Sequence, residues 1–240
     1  MSDLFLTVMH GARQVMKAQA VNANNLANAS TDGFQAELAH VQAVGEDYEL
    51  IGAVDFSPGM IRATGRSLDV AVNGEGWLAI ETEEGGEGYS RRGDLKIDSF
   101  GVMTNGVGHP ILGNNGPIAL PPFTSVDIAA DGTISIQPVG QGPNAMAVVD
   151  RIKLVNPDPQ TIERGDDGIM RLRSVDGEEL IAPPDASVEL QTSSLESSNV
   201  NAVAEMLKMI DLSRQFEAQI KLVQSSDENS ASLASLLRLN

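Results

Sequence analysis

The chain contains no cysteine. Disulfides, thiolate nucleophiles and cysteine-ligated metals are therefore excluded, although the compartment stays open. Aromatic residues are scarce at 4 %, and Trp77 is the single tryptophan, so any core must be built from aliphatic side chains. Basic residues are also few: 16 Lys and Arg stand against 33 Asp and Glu, a net charge of −17. A surface this acidic repels phosphate backbones and anionic lipid, which argues against nucleic-acid partners and membrane docking. It also keeps an isolated subunit soluble. No apolar run is long enough to span a bilayer, so no direct membrane insertion is expected. The opening segment, Met1 to His10, lacks a basic region followed by a long apolar stretch, so no cleaved Sec-type signal is expected either.

What is present is a chain of 240 residues with 42 % hydrophobic content, enough for one large domain or two small ones. From about Asp3 to Asn28 the periodicity is helical. Phe5, Val8, Ala12, Val15, Gln19, Asn22 and Leu26 step by three and four, with Ser2 or Asp3 as cap and Gly33 as the expected stop. Asn22, Asn24, Asn25 and Asn28 crowd into its end, although Asn costs up to about 0.7 kcal/mol against Ala in a helix. Asn22, Asn25 and Asn28 share one face, which predicts sideways hydrogen bonding to other chains rather than a dry core.

A second helix is predicted over Asn201–Leu237, capped by Asn201 with Glu205 in its first turn. Its expected stripe is Met206, Ile210, Ser213, Phe216, Ile220 and Val223, continuing more weakly through Asp227, Ser230, Ala234 and Leu237. Neither stripe has an evident intramolecular core to meet. Pairing of the two termini with each other and with further copies is therefore expected, as is disorder of both ends in the free monomer.

Between the helices the period changes to two. Leu68, Val70 and Val72, then Asn73-Gly74-Glu75-Gly76, then Trp77 to Glu81 predict a hairpin. Further strands are expected at Leu95–Asp98, Val126–Ala129, Thr133–Gln137, Val148–Val155, Ile169–Arg173 and Glu178–Ile181, with turns at Asp131-Gly132 and Asp176-Gly177. The fold class is thus mixed α+β: long N- and C-terminal helices pairing in a coiled-coil-like layer, around a central, mainly antiparallel β domain. The expected division is an N-terminal helix (1–34), a linker (35–64), the β domain (65–190), a short linker (191–200) and a C-terminal helix (201–240).

No reaction chemistry stands out. Gly74-Glu75-Gly76 and Gly113-Asn114-Asn115-Gly116 lack the spacing and the lysine of a phosphate loop and read as hairpin turns. Asp166-Asp167-Gly168 lacks the alternating ligands of a calcium loop. His10, His40 and His109 are scattered without metal spacing, and no nucleophile elbow is present. Glu81, Glu83, Glu84 and Glu87 read as a solvated turn. Arg92-Gly93-Asp94 and Arg164-Gly165-Asp166 spell an adhesion tripeptide, a sequence that arises easily by chance. No catalytic residue, cofactor or metal is expected. A periplasmic glycan hydrolase would need two facing carboxylates in a cleft, and a β-domain adhesin would leave both helices unexplained.

Three segments carry a resemblance. The first is Ala23-Asn24-Asn25-Leu26-Ala27-Asn28 with Thr31-Asp32-Gly33-Phe34. The second is Gly65 to Trp77 with Tyr89-Ser90-Arg91-Arg92-Gly93. The third is Leu195-Glu196-Ser197-Ser198-Asn199-Val200-Asn201 with Arg214-Gln215-Phe216-Glu217. In this order they resemble the bacterial flagellar basal-body rod family, a likeness spanning nearly the whole chain. The short length leaves no room for an outer hook domain. Leu154-Val155-Asn156-Pro157, Arg164 to Ile169 and Ile210 to Glu217 are most similar to the proximal-rod members, with distal-rod or hook-like subunits as the alternative.

The resemblance implies a structural, non-enzymatic subunit. Such a subunit passes through the flagellar type III export apparatus and assembles helically in the periplasm with copies of itself and other flagellar rod proteins. The product is a channel-containing, torque-transmitting shaft. The assembly residues it implies are Asn24, Asn25, Leu26, Asn28, Gly33 and Phe34 at one end, and Asn199, Met206, Ile210, Arg214, Phe216 and Glu217 at the other.

Overall fold

The computed structural model describes residues 2–44, 47–142, 145–165, 167–173 and 180–237. The Asp176-Gly177 turn, Asp166 and the first half of the strand expected at Glu178–Ile181 lie outside the described residues, as do the side chains of Phe5, His40, Asp227, Ser230, Ala234 and Leu237, while Leu180 and Ile181 are not in a strand. The chain forms two units. One comprises residues 1–29, 37–55 and 200–240, and the other residues 30–36 and 56–199.

The first unit is built on two helices, α1 (Ser2–Ala27) and α2 (Ala202–Leu237), which pack on each other. They run antiparallel: Gly11 lies against Gln219, while Asn22 near the end of α1 donates to Glu205 near the start of α2. Asn201 caps α2 as expected, its Oδ1 accepting from the amides of Val203 and Ala204 at 3.1 Å each. The stripe on α1 follows the predicted spacing, with Ala12, Val15 and Asn22 buried and Val8, Gln19 and Leu26 half-buried.

On α2 the expected stripe holds over its second half, where Phe216, Ile220 and Val223 are half-buried, but over the first half the buried face is turned from the expected one. Leu212 is buried and Glu205, Met209 and Phe216 are half-buried, whereas Met206 and Ile210 are 52 % and 51 % exposed. Apolar residues line two sides of α2, so periodicity alone does not select between them. The side that packs is the one that brings Glu205 to Asn22 and Leu212 to Val15 and Ala18.

The segment 35–64, read as a linker, carries strands. Glu37–Val44 and Asp47–Val54 pair antiparallel from Glu37↔Val54 to Val44↔Asp47, and α1 packs on this hairpin, with Ala39 beside Val15 and Ala18. The stripe on α1 therefore does meet a core within its own chain, which corrects the premise that it has none. Ile61–Ala63 pairs with Ser194–Glu196, a strand inside the region read as the second linker.

The second unit is antiparallel throughout its named strand pairs. A five-stranded sheet runs in the order Leu154–Val155, Trp77–Glu81, Glu87–Ser90, Met170–Leu172, Ile162–Arg164. Phe123–Ile128, Thr133–Pro138 and Ala147–Arg151 form a three-stranded sheet, with Asp131-Gly132 at its first turn. The core is aliphatic, as the scarcity of aromatics requires: Val70, Val72, Leu78, Ile80, Leu95, Met103, Ile111 and Ile118 are all 1 % exposed or less.

The hairpin expected across Asn73–Gly76 does not form. Val70–Asn73 pairs with Glu189–Thr192, and Trp77–Glu81 joins the five-stranded sheet. The two glycines instead redirect the chain. Gly76 has φ +121°, and a Cβ there would sit 2.7 Å from Val188 Cγ1, so no side chain fits. Asn114-Asn115 does form a two-residue hairpin turn, with Gly116 opposite Gly113.

Candidate functional site

The asparagines at the end of α1 divide by face. Asn25 is fully buried and holds the start of the first hairpin from both sides: its Nδ2 donates to the Glu37 carbonyl and its Oδ1 accepts from the Glu37 amide, both at 2.8 Å. Asn22 is equally buried and donates to Glu205. Asn24 is exposed, and the Asn28 amide nitrogen donates back to its carbonyl at 3.0 Å and its Oδ1 at 2.9 Å, closing the last helical turn. Leu26 is half-buried. Asn25 thus uses both ends of its side-chain amide inside its own unit, whereas Asn22 uses only its nitrogen there and its buried Oδ1 has no hydrogen-bond partner among the described residues.

Gly33 does not stop the helix, which ends at Ala27; it serves a close approach. At φ +70° a Cβ would sit 2.5 Å from the carbonyl of Arg91, and the Gly33 amide donates to the Glu196 carbonyl at 2.7 Å. Phe34 lies beneath the Arg164 guanidinium, 4.9 Å from ring centre to Cζ, while Arg164 Nη2 donates to the Gln35 carbonyl at 2.6 Å. Asn199 completes the cluster. Its Oδ1 accepts from the Ala36 amide at 2.7 Å, its Nδ2 donates to the Ser57 carbonyl at 2.9 Å, and its backbone amide donates to the Phe34 carbonyl at 3.3 Å.

At the centre of this cluster is an ion pair that sequence reasoning did not single out. Arg91 Nε donates to Glu196 Oε2 at 2.7 Å, with both side chains 2 % exposed. Nη1 donates to the carbonyl of Gly76 (3.1 Å) and Nη2 to those of Gly74 (2.7 Å) and Val72 (3.5 Å), and Glu196 Oε1 accepts from the Gly59 amide at 2.7 Å. Arg91 also lies over Trp77, which meets Phe56 edge-on at 5.9 Å. Both residues fall within the segments that carry the resemblance, but the pair spans 105 positions and only the fold brings it together.

On α2, Met206, Ile210, Arg214 and Glu217 are exposed, joined by Val203 and Leu207 at 68 % and 60 %; Phe216 faces α1.

Other motifs resolve into structure. Arg92 and Asp94 of the first adhesion tripeptide pair with each other through two bonds of 2.7 and 2.9 Å. Burial raises the Asp94 carboxyl, and the Arg92 guanidinium outweighs it, leaving the group below the usual carboxylate range. Glu83 and Glu84 are exposed as expected of a turn, but Glu87 is 9 % exposed and paired with Lys153 at 2.7 Å. Beside it, burial pushes the Tyr89 phenol well above its ordinary range, and its oxygen accepts from the Ala182 amide at 2.8 Å. Among the described residues no group of three or more acidic or histidine side chains is placed to hold a metal, and no helix is long and apolar enough to cross a membrane.

The same three segments match known families. Residues 5–35 match the flagella basal body rod protein family, residues 71–136 the D1 domain of flagellar hook proteins FlgE/F/G, and residues 191–236 the C-terminal region of flagellar basal body rod FlgEFG proteins. The chain is 42 % identical to the flagellar basal-body rod protein FlgF of Escherichia coli K12 and 39 % identical to that of Salmonella typhimurium LT2, over the full length of each. This chain belongs to the flagellar basal-body rod protein family. Similarity to FlgG members is lower: 29 % for that of Bacillus subtilis 168, over 78 % of this chain and 72 % of the relative. In this rod protein, the family's first and last segments are joined in the second unit by Gly33, Phe34, Glu196 and Asn199, and Arg91 of the middle segment is bonded to Glu196 of the last.

Proposed function

We propose that this rod protein is a structural subunit of the proximal rod, assembling helically with copies of itself and other rod proteins into the shaft that carries torque across the periplasm. The supporting observation is the likeness, at 42 % and 39 % identity over the full length of both chains, to the FlgF proteins of Escherichia coli and Salmonella typhimurium, against 29 % to the FlgG protein of Bacillus subtilis. Delivery through the flagellar type III export apparatus, without a cleaved Sec signal, fits the acidic, cysteine-free composition.

Within this reading the exposed face of α2, with Met206, Ile210, Arg214 and Glu217, is the surface offered to neighbouring subunits. Asn25, Gly33 and Asn199 support it by holding their own units in shape. Asn24 and Phe34 are only partly engaged and contribute at the margin of the contact. Burying such apolar area between helices is worth about 25 cal/mol per Å².

Deletion of the chain in its host, scored for swimming and for assembled hook–basal bodies, tests the proposal. Loss of both, rescued by the full chain and not by one lacking residues 201–240, is the expected result. Normal basal bodies in the deletion strain would refute it.

A further inference from the structure

The second unit depends on its last strands for two separate reasons. The strand Val70–Asn73 is buried over Val70, Ala71 and Val72, at 0 %, 1 % and 0 % exposure, and its ladder partner is Glu189–Thr192. Until that partner arrives, the backbone groups of this strand that face Glu189–Thr192 have no ladder bonds, each a cost of the order of a lost hydrogen bond. Independently, the guanidinium of Arg91 reaches its carboxylate only when Glu196 is in place. A buried cation without a partner is among the most costly features a core can hold.

The same late residues bind two further segments of the second unit, around residues 33–36 and 57–60. Glu196 takes the amides of Gly33 and Gly59, Ser197 donates to Met60 at 2.9 Å, and Asn199 binds Ala36 and Ser57. The bonded partners are up to 163 positions apart, so none of these contacts forms locally.

We infer that the Arg91–Glu196 pair is a closing joint: the β unit does not lock until the chain beyond residue 189 is available, and it then locks as one cooperative body. A chain emerging from its amino end would hold an open, threadable β unit until late. This consequence for transport rests on the export reading above; the joint itself does not.

Native-state hydrogen exchange on the purified full-length chain tests the joint directly. The amides of Gly33, Gly59 and Ser197 should exchange within about threefold of the core amides of Met103 and Ile118, because all open together. Exchange of the three joint amides a hundredfold faster than the core would overturn the inference, since the joint would then be a local clasp.

Glu196→Gln supplies the second arm. It should speed exchange at Met103 and Ile118 by the same factor as at Gly33, on the order of 10²-fold or more. Faster exchange at Gly33 alone would equally overturn it. If that variant does not fold, the wild-type comparison still decides. Because both arms use isolated protein, a negative result here leaves the rod reading standing, and failure of the rod reading leaves the joint standing.

Discussion

Gly33 and Arg91 touch backbone to backbone: a methyl group on Gly33 would lie 2.5 Å from the Arg91 carbonyl oxygen. Gly33→Ala therefore meets both a positive φ and a main-chain wall that cannot rotate away. We expect a loss of about 2–4 kcal/mol from the second unit, combining overpacking with left-handed backbone strain. Urea unfolding followed by Trp77 fluorescence measures it. A midpoint within error of wild type would show that the segment shifts freely.

Asn25→Ala removes two hydrogen bonds at once and leaves the buried Glu37 amide and carbonyl without their partner. The first unit should lose about 1–3 kcal/mol, and the Glu37 amide should lose its exchange protection. Asn24→Ala, at an exposed position, should change stability by less than about 0.5 kcal/mol.

The two faces of α2 should respond in opposite ways. Leu212→Ala, on the face packed against Val15 and Ala18, should destabilise the first unit by about 2–3 kcal/mol. Ile210→Asp lies on the open face and should leave the circular dichroism spectrum and melting of the isolated chain close to wild type while abolishing motility in the host. Full motility of the Ile210→Asp strain would remove this face from the assembly.

Stability should fall at both ends of the pH scale. The depressed carboxyl of Asp94 stabilises the fold above the ordinary carboxylate value near 3.9, and that contribution disappears as pH drops through its lower folded value. Asp94→Asn should flatten the acid limb. Tyr89 works in the other direction: its phenol holds its proton in the fold, so its contribution is complete below about pH 10 and is lost as pH rises beyond. The absorbance step at 295 nm that Tyr89→Phe removes should coincide with alkaline unfolding; an early step near pH 10 in the folded protein would contradict the burial.

The helices were legible because their signal is local. The α1 stripe from Val8 to Leu26 and the Asn201 cap could be read residue by residue. The face of α2 was not, because Met206 and Ile210 are as apolar as Met209 and Leu212, and only the position of Asn22 on another helix decides between them. Asn73-Gly74-Glu75-Gly76 has the composition of a hairpin turn, yet the adjoining strand finds its partner more than a hundred residues away at Glu189–Thr192. Turn chemistry reports that the chain bends and is silent about which strands pair. The Arg91–Glu196 pair was hidden for the same reason: two charged residues in separate motifs carry no mark of their meeting.

One side-chain amide, that of Asn199, grips Ala36 on one side and Ser57 on the other. The excursion between them, residues 37–55, belongs to the other unit. Its two ends are thus pinned by a clasp that does not depend on what lies between. A change in the length or sequence of the excursion is therefore expected to alter the helical unit it serves while leaving the bonds of Asn199 to Ala36 and Ser57 in place.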